Sequence, residues 1–244
     1  MIKKIKYFLW KLFKSPERKW VGWSTLFTDF RSQLYSVFFM PKSKPITVCV
    51  GVKNRSNYLL QVLIHSLNQV HDKNNVALCV LDCGSNDVVD LHNEIKQKWD
   101  GNLIYHLHEQ NFERSKVYNQ LVNLSLNELV FICDADIQLP KDIVKKVNKY
   151  TNRFTSWFPI LWWMNEDNVT GKFFSASTGM LATIKSNFIK TGGYDESIKE
   201  WGKEDWLLYF EFYKSRISCR RTFEKEMIHH YHPSLQPKDF KPLF

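Results

Sequence analysis

A chain of 244 residues that is 44% hydrophobic and 15% aromatic can bury one large core, with or without an appendage. Its net charge of +9 admits nucleic acid, an anionic membrane or a polyanionic substrate, but much of the excess lies in the first twenty residues, which favours a membrane surface and no nucleic acid. The five cysteines (Cys49, Cys79, Cys83, Cys133 and Cys219) are odd in number and mostly sit in apolar runs, so they read as reduced core thiols, and Cys79-x-x-x-Cys83 lacks the partners of a zinc site.

Residues 2–14 place Ile2, Ile5, Phe8, Leu9, Leu12 and Phe13 on one helical face, with Lys3, Lys4, Lys11 and Lys14 largely opposite. Such a helix can lie in a lipid headgroup layer, or dock on its own domain or a partner. Lysines interrupt it too often for a bilayer span, and it lacks the small-residue site of a secretory signal. A second aromatic stretch holds Trp20, Trp23, Phe27, Phe30, Tyr35, Phe38 and Phe39. It either extends the membrane footing or covers an edge of the core, and periodicity does not choose.

The core pattern begins after Pro41 and Pro45. The run 46–50 is expected as a buried strand, 51–55 as a basic turn suited to phosphate, and 58–67 as a helix. The plan recurs: 76–81 ends on Asp82, 84–87 turns into a helix over 88–99, a strand follows at 103–107, and 115–126 is helical. The next apolar run, 129–133, stops on Asp134-Ala135-Asp136. Side chains alternate along an extended chain, so both acids are expected on one side, where a hard cation could sit between them and a diphosphate. An acid capping the helix that begins near Pro140 is the structural alternative. Strands alternating with helices imply an α/β fold with a doubly wound, mainly parallel sheet, and they put Asp82 and Asp136 on one ligand-binding edge.

After Pro140 the pattern loosens. Phe154, Trp157, Phe158, Trp162, Trp163, Phe173 and Phe174 are core aromatics or a wall on which sugar rings stack. Small residues at 175–179 let backbone approach a ligand. Trp201-Gly202-Lys203-Glu204-Asp205 runs into a helix, whose dipole favours two acids at its start whatever their function. In 227–233, read as extended, His230 and His232 share one face and His229 and Tyr231 the other, so His230 and His232 are the candidate metal ligands.

In order, these pieces resemble the GT-A glycosyltransferases, and among them the β-1,4-galactosyltransferase group with its chondroitin-type N-acetylgalactosaminyl and glucuronyl transferase relatives. Val52-Lys53-Asn54-Arg55 resembles that group's Phe-Arg-Asn-Arg nucleotide-binding turn, with Lys53 in place of the first arginine. Phe112-Glu113-Arg114-Ser115-Lys116 is similar to its Phe-Asn-Arg-Ala-Lys segment, and Asp134-Ala135-Asp136 to its Asp-Val-Asp. Gly179 falls where the group has a glycine beside the donor sugar. The stretch 201–205 resembles the Trp-Gly-Gly-Glu-Asp signature, which implies that Trp201 and Glu204 contact the acceptor and that Asp205 is the catalytic base. Trp206 stands where the group usually has a further acid. Met227-Ile228-His229-His230 resembles a Met-x-x-His metal motif, whereas 229–233 resembles a His-x-Tyr-His-Pro ending; the first register makes His230 the ligand, the second His232. Asp82-Cys83-Gly84-Ser85 is similar to bacterial family 2 transferases, whose corresponding Asp contacts the nucleotide base.

The resemblance implies a basic, aromatic N-terminal segment (1–44), a GT-A domain (45–233) and an irregular tail (234–244). It implies an inverting, metal-dependent enzyme moving a hexose or N-acetylhexosamine, of galactose type, from a UDP-sugar to a glycan or lipid-linked glycan in surface polysaccharide synthesis. Lys53, Arg55, Asp82, Arg114, Asp134 and Gly179 would hold the donor; Mn²⁺ or Mg²⁺ would sit on Asp134, Asp136 and His230 or His232. The N-terminal segment points to a cytoplasmic protein, peripheral on the inner face of the cell membrane. The alternative from another class is a non-catalytic carbohydrate-binding or scaffold protein that keeps the fold.

Overall fold

A computed structural model describes residues 25–38, 43–108, 111–198 and 203–232; the helix expected at 2–14, the aromatics Trp20 and Trp23, Trp201 and the tail 234–244 lie outside them. Helix α1 (Thr25–Phe38) precedes the sheet. Strand β1 (Ile46–Val52) is uncharged and buried along its whole length, as a strand covered on both faces has to be. The chain turns at Asn54, whose φ of 54° lies in the left-handed region that asparagine tolerates. Helix α2 then forms in three contiguous pieces: Ser56–Tyr58, a π-helical turn Leu59–Leu63, and Ile64–Leu67. Strand β2 (Val76–Asp82), α3 (Leu91–Lys98), β3 (Asn102–Leu107), α4 (Arg114–Leu124) and β4 (Leu129–Ile132) follow. The second half comprises β5 (Ile137–Gln138), α5 (Ile143–Tyr150), β6 (Thr155–Met164), β7 (Gly171–Phe173), β8 (Leu181–Ile184), α6 (Lys185–Lys190), α7 (Lys203–Lys214) and β9 (Ser218–His229).

These strands make one nine-stranded sheet in the order β3-β2-β1-β4-β8-β6-β9-β5, with β7 added to β6. Strands β1 to β4 pair in parallel, as the alternating pattern implies. The second half is mixed: β6 and β9 run parallel, whereas β8, β7 and β5 attach antiparallel. Helices cover both faces. Ile46, Val48 and Val50 pack with Leu63, Ile95 and Val147 on one side, while Cys49 packs with Cys79, Tyr118 and Tyr209 on the other. All five cysteines are buried in the core.

Strand β1 can lie this close to α4 because residue 51 has no side chain. A Cβ placed there would come 2.4 Å from Val117 Cγ1 and 3.0 Å from the Phe112 ring. Gly51→Ala is therefore expected to destabilise by about 1–3 kcal/mol through overpacking. Thermal unfolding should show a lowered Tm that Val117→Ala partly restores; an unchanged Tm in the single variant would mean that the β1–α4 spacing is slack.

Candidate active site

The parallel registers bring the C-terminal ends of β1, β2 and β4 side by side, and the loops that leave them interlock. The Asn54 N–H donates to Ser85 Oγ (3.0 Å), the Asn86 N–H to Asn54 Oδ1 (2.9 Å), and Ser56 donates to Asp87 through both N–H and Oγ. Lys53 Nζ donates to the Cys83 carbonyl at 3.1 Å, and Arg55 Nη1 stands 3.9 Å from Asp136 Oδ2. Both Asp82 oxygens accept: Oδ1 from the Ser85 N–H at 2.8 Å and Oδ2 from Tyr105 Oη at 2.7 Å. Asp82 thus holds this turn and fixes Tyr105, whose pKa rises through burial and the adjacent carboxylate.

The second element is a charge cluster around Arg114, the first residue of α4. Its Nη1 donates to Asp134 Oδ1 at 2.6 Å, its Nη2 to the Gly179 carbonyl at 3.0 Å and its Nε to Asp205 Oδ1 at 3.3 Å, with Glu204 Oε1 at 3.7 Å. Tyr118, one helical turn along, lies under the guanidinium and donates its hydroxyl to Asp134 at 2.9 Å. Gly179 is a glycine for a local reason: a Cβ would sit 3.1 Å from Asp205 Oδ2 and 3.2 Å from Arg114 Nη2. Burial raises the Asp205 pKa above the ordinary aspartate value and the Asp134 charge adds to this, while Arg114 and a Tyr194 hydrogen bond offset part of it. Burial disfavours the Arg114 charge, yet Asp134 and Asp205 outweigh that and push its pKa further up.

The third element gathers Asp136, His229 and His232, whose ligand atoms all lie within 4.8 Å of one another. His232 Nε2 is 3.0 Å from Asp136 Oδ2, and His229 Nε2 is 3.9 Å from Oδ1. Trp163 stacks flat on His229, with ring centroids 3.9 Å apart and planes at 4°. Burial pushes the Asp136 pKa up, but His232, His229 and Arg55 more than offset it and hold the carboxyl below its usual range. Burial lowers the His229 pKa, which keeps the ring neutral. Asp136 Oδ1 and His229 Nδ1 are buried without a hydrogen-bond partner, a costly state that a bound cation relieves at the carboxylate. An ionised carboxylate and a neutral imidazole are the forms that ligate metal, so the set fits a divalent ion.

Two expectations about this edge need correction. Asp134 and Asp136 do not share a side, because β4 ends at Ile132 and the acids lie beyond it, where period-two alternation no longer applies. Asp134 bonds to Arg114 and Tyr118 and is not among the ligand atoms grouped around Asp136. For the same reason His229, not His230, joins His232. Strand β9 ends at His229, and His230 instead donates its N–H to the Asp136 carbonyl and sets its ring against Gln138 Oε1 at 3.2 Å. The expected turn residues (Lys53, Arg55, Asp82) and acids (Glu204, Asp205, Asp136) do converge on this edge. Tyr105, Tyr118 and Tyr194 are not marked by the sequence as site residues, and only Tyr118 carries a readable signal, four residues from Arg114 on a helix; Trp163, expected as a core aromatic or part of a sugar-stacking wall, stacks on His229.

The fold is that of GT-A glycosyltransferases. Staphylococcus aureus TarS 1–349 in complex with UDP superposes with a TM-score of 0.60 at 18% identity over 78% of this chain and 61% of that one. GalNAc-T7 with UDP, GalNAc and Mn²⁺ gives 0.63 at 15% identity over 78% and 44%. A family model described as chondroitin N-acetylgalactosaminyltransferase matches residues 36–238, and the chain belongs to that family. Human chondroitin sulfate N-acetylgalactosaminyltransferase 1 is 29% identical over 142 residues, which is 47% of this chain and 26% of that protein. Mouse N-acetyl-beta-glucosaminyl-glycoprotein 4-beta-N-acetylgalactosaminyltransferase 1 is 24% identical over 203 residues, 75% of this chain and 19% of that protein. The chain thus spans about a quarter or less of the length of these relatives.

The cluster sets a test for the histidines. In calorimetric titration with Mn²⁺, His229→Ala and His232→Ala should each weaken binding by at least about tenfold, as losses at metal sites do. His230→Ala should bind like wild type. Equal losses for all three would mean that the chain beyond β9 rearranges around the ion.

Proposed function

We propose that this chain is an inverting sugar transferase that moves a hexose or N-acetylhexosamine from a UDP-sugar to a glycan or lipid-linked glycan acceptor in surface polysaccharide synthesis. The observation that carries the reading is the placement of Asp205: a largely buried carboxyl of raised proton affinity, touching Arg114 and facing Gly179, at the strand-end edge that also holds Asp136, His229 and His232. The family assignment and the UDP named in the TarS and GalNAc-T7 structures support the donor class.

Asp205 takes the proton of the acceptor hydroxyl while that oxygen bonds to the anomeric carbon from the side opposite the diphosphate. The bond to the diphosphate oxygen breaks, its electron pair leaves with UDP, and the single displacement inverts configuration. A raised pKa suits this role, because a stronger base draws the proton further towards itself. Lys53 and Arg55 supply positive charge to the loop that meets the donor's phosphates. Arg114 holds Asp205 and the Gly179 carbonyl in one geometry, which keeps the base aimed before substrate arrives. Asp136, His229 and His232 would hold the ion, and two imidazoles in the set favour Mn²⁺ over Mg²⁺. When bound, the ion supplies positive charge that offsets the charge developing on the departing diphosphate.

Asp205→Asn keeps shape and hydrogen bonding but cannot accept the proton. Turnover should fall on the order of 10²–10⁴-fold with UDP affinity and Tm nearly unchanged. Asparagine caps a helix about as well as aspartate, so a merely capping Asp205 predicts a silent change. The sign of the pH dependence follows from the raised pKa. The base works ionised, so kcat/KM should fall on acidification, with the midpoint above the ordinary aspartate value of about 3.9. A profile flat down to that value would remove Asp205 from the proton transfer.

A further inference from the structure

We propose that the outer face of α1 is a docking surface for an anionic lipid bilayer. A helix on a water-soluble domain turns its apolar side inward and its polar side to solvent. Helix α1 does the reverse. Phe27, Phe30 and Leu34 are 72%, 50% and 44% exposed, whereas Thr28, Asp29 and Ser32 are buried. The exposed three follow the spacing i, i+3, i+7 and so form one stripe along the helix.

The buried side is fixed by directional bonds. Ser218 Oγ donates to Asp29 Oδ1, the Ser32 and Thr155 hydroxyls share a hydrogen bond, and Arg31 donates to the Arg216 carbonyl. Arg31 also lies 4.2 Å over the Phe154 ring, against which Tyr35 packs edge-on at 5.2 Å. A helix held in this way cannot roll its apolar stripe inward without stripping the buried Thr155 and Ser218 hydroxyls of their partners. Contiguous exposed apolar surface of this kind marks an interaction site.

Charge selects the occupant. The one acid of α1, Asp29, is buried, while Arg31, Arg153 and Arg216 stand around the helix. The sequence just ahead of it holds Lys3, Lys4, Lys6, Lys11, Lys14, Arg18 and Lys19 against one acid, Glu17. An apolar stripe beside arginines, in a chain whose preceding sequence is basic, matches a bilayer of anionic lipid, with rings in the acyl boundary and cations on the phosphates. No described helix is long and apolar enough to cross a membrane. Helix α1 meets β6 and β9 at their starts, and the Asp136 cluster lies where the 12-residue β9 ends. At about 3.3 Å per residue the two are up to about 40 Å apart along the strand. The site therefore reaches a part of the acceptor distal to the lipid; only this corollary rests on the transferase reading.

The test is sedimentation of the full chain with phosphatidylcholine vesicles made with and without phosphatidylglycerol, at low salt. Wild type should partition onto the phosphatidylglycerol vesicles and release in high salt. The triple variant Phe27→Ser, Phe30→Ser, Leu34→Ser should lose about tenfold or more in partition coefficient while Tm and UDP-sugar turnover stay unchanged. A second triple, Phe27→Leu, Phe30→Leu, Leu34→Phe, should bind like wild type. Three results overturn the proposal: a wild type that ignores anionic vesicles, a serine variant that binds like wild type, or a non-binding wild type whose dimer in size exclusion the serine variant splits. Turnover is read separately, so failure of the docking surface leaves the chemistry of Asp205 untouched.

Discussion

The arrangement of the site depends on one largely buried cation, Arg114. A guanidinium does not give up its proton in a protein and carries five N–H donors in a rigid fork, so burying Arg114 obliges the fold to surround it with acceptors. Those acceptors come from separate segments: Asp134 beyond β4, the Gly179 carbonyl before β8, and Asp205 in the first turn of α7. Removing the guanidinium would leave its carboxylate partners without their shared cation, and breaking such pairs is typically worth about 3–5 kcal/mol. Arg114 was expected to bind the donor directly. Its protein partners are Asp134, Asp205 and the Gly179 carbonyl, so it also brings the Asp205 carboxylate to a defined place.

Beside this cluster the Asp136 group shows the opposite economy. Arg114 donates to three protein acceptors, whereas Asp136 Oδ1 and His229 Nδ1 are buried without a hydrogen-bond partner. Pairing of β5 with β9 sets Ile137 opposite His229, which carries the start of one turn and the end of a long strand to the same point. The flat stack of Trp163 on His229 then fixes the plane of that ring. One cluster pairs its charges internally, while the other leaves an ionised carboxylate beside two imidazoles, the donor set that fits a divalent ion.

Helix α1 extends this logic to the other end of the sheet. Its buried polar contacts to the starts of β6 and β9 decide its orientation, and the apolar stripe is left outward as a consequence. The same aromatics in the sequence suit a core edge or a membrane footing, because a helix has two faces and residues 27–35 use both.

Local pattern determined a good deal. Continuous apolar runs gave β1, β2 and β4, since strands buried on both faces admit nothing else, and their alternation with helices implied parallel pairing and a common ligand edge. Short polar motifs marked Lys53, Arg55, Asp82, Asp136, Glu204 and Asp205, because charge at a strand end or helix start is visible without knowing its partners. What only the tertiary structure decided is where those side chains point and whom they meet. Alternation governs direction only inside a regular strand, so Asp134 beyond β4 and His230 beyond β9 escaped it, and His229 replaced His230 beside His232. The inward turn of polar Asp29 and Ser32 on α1 depends on Ser218 and Thr155, more than a hundred residues away in sequence. A hydrogen bond made across that separation leaves no trace in the spacing of either segment.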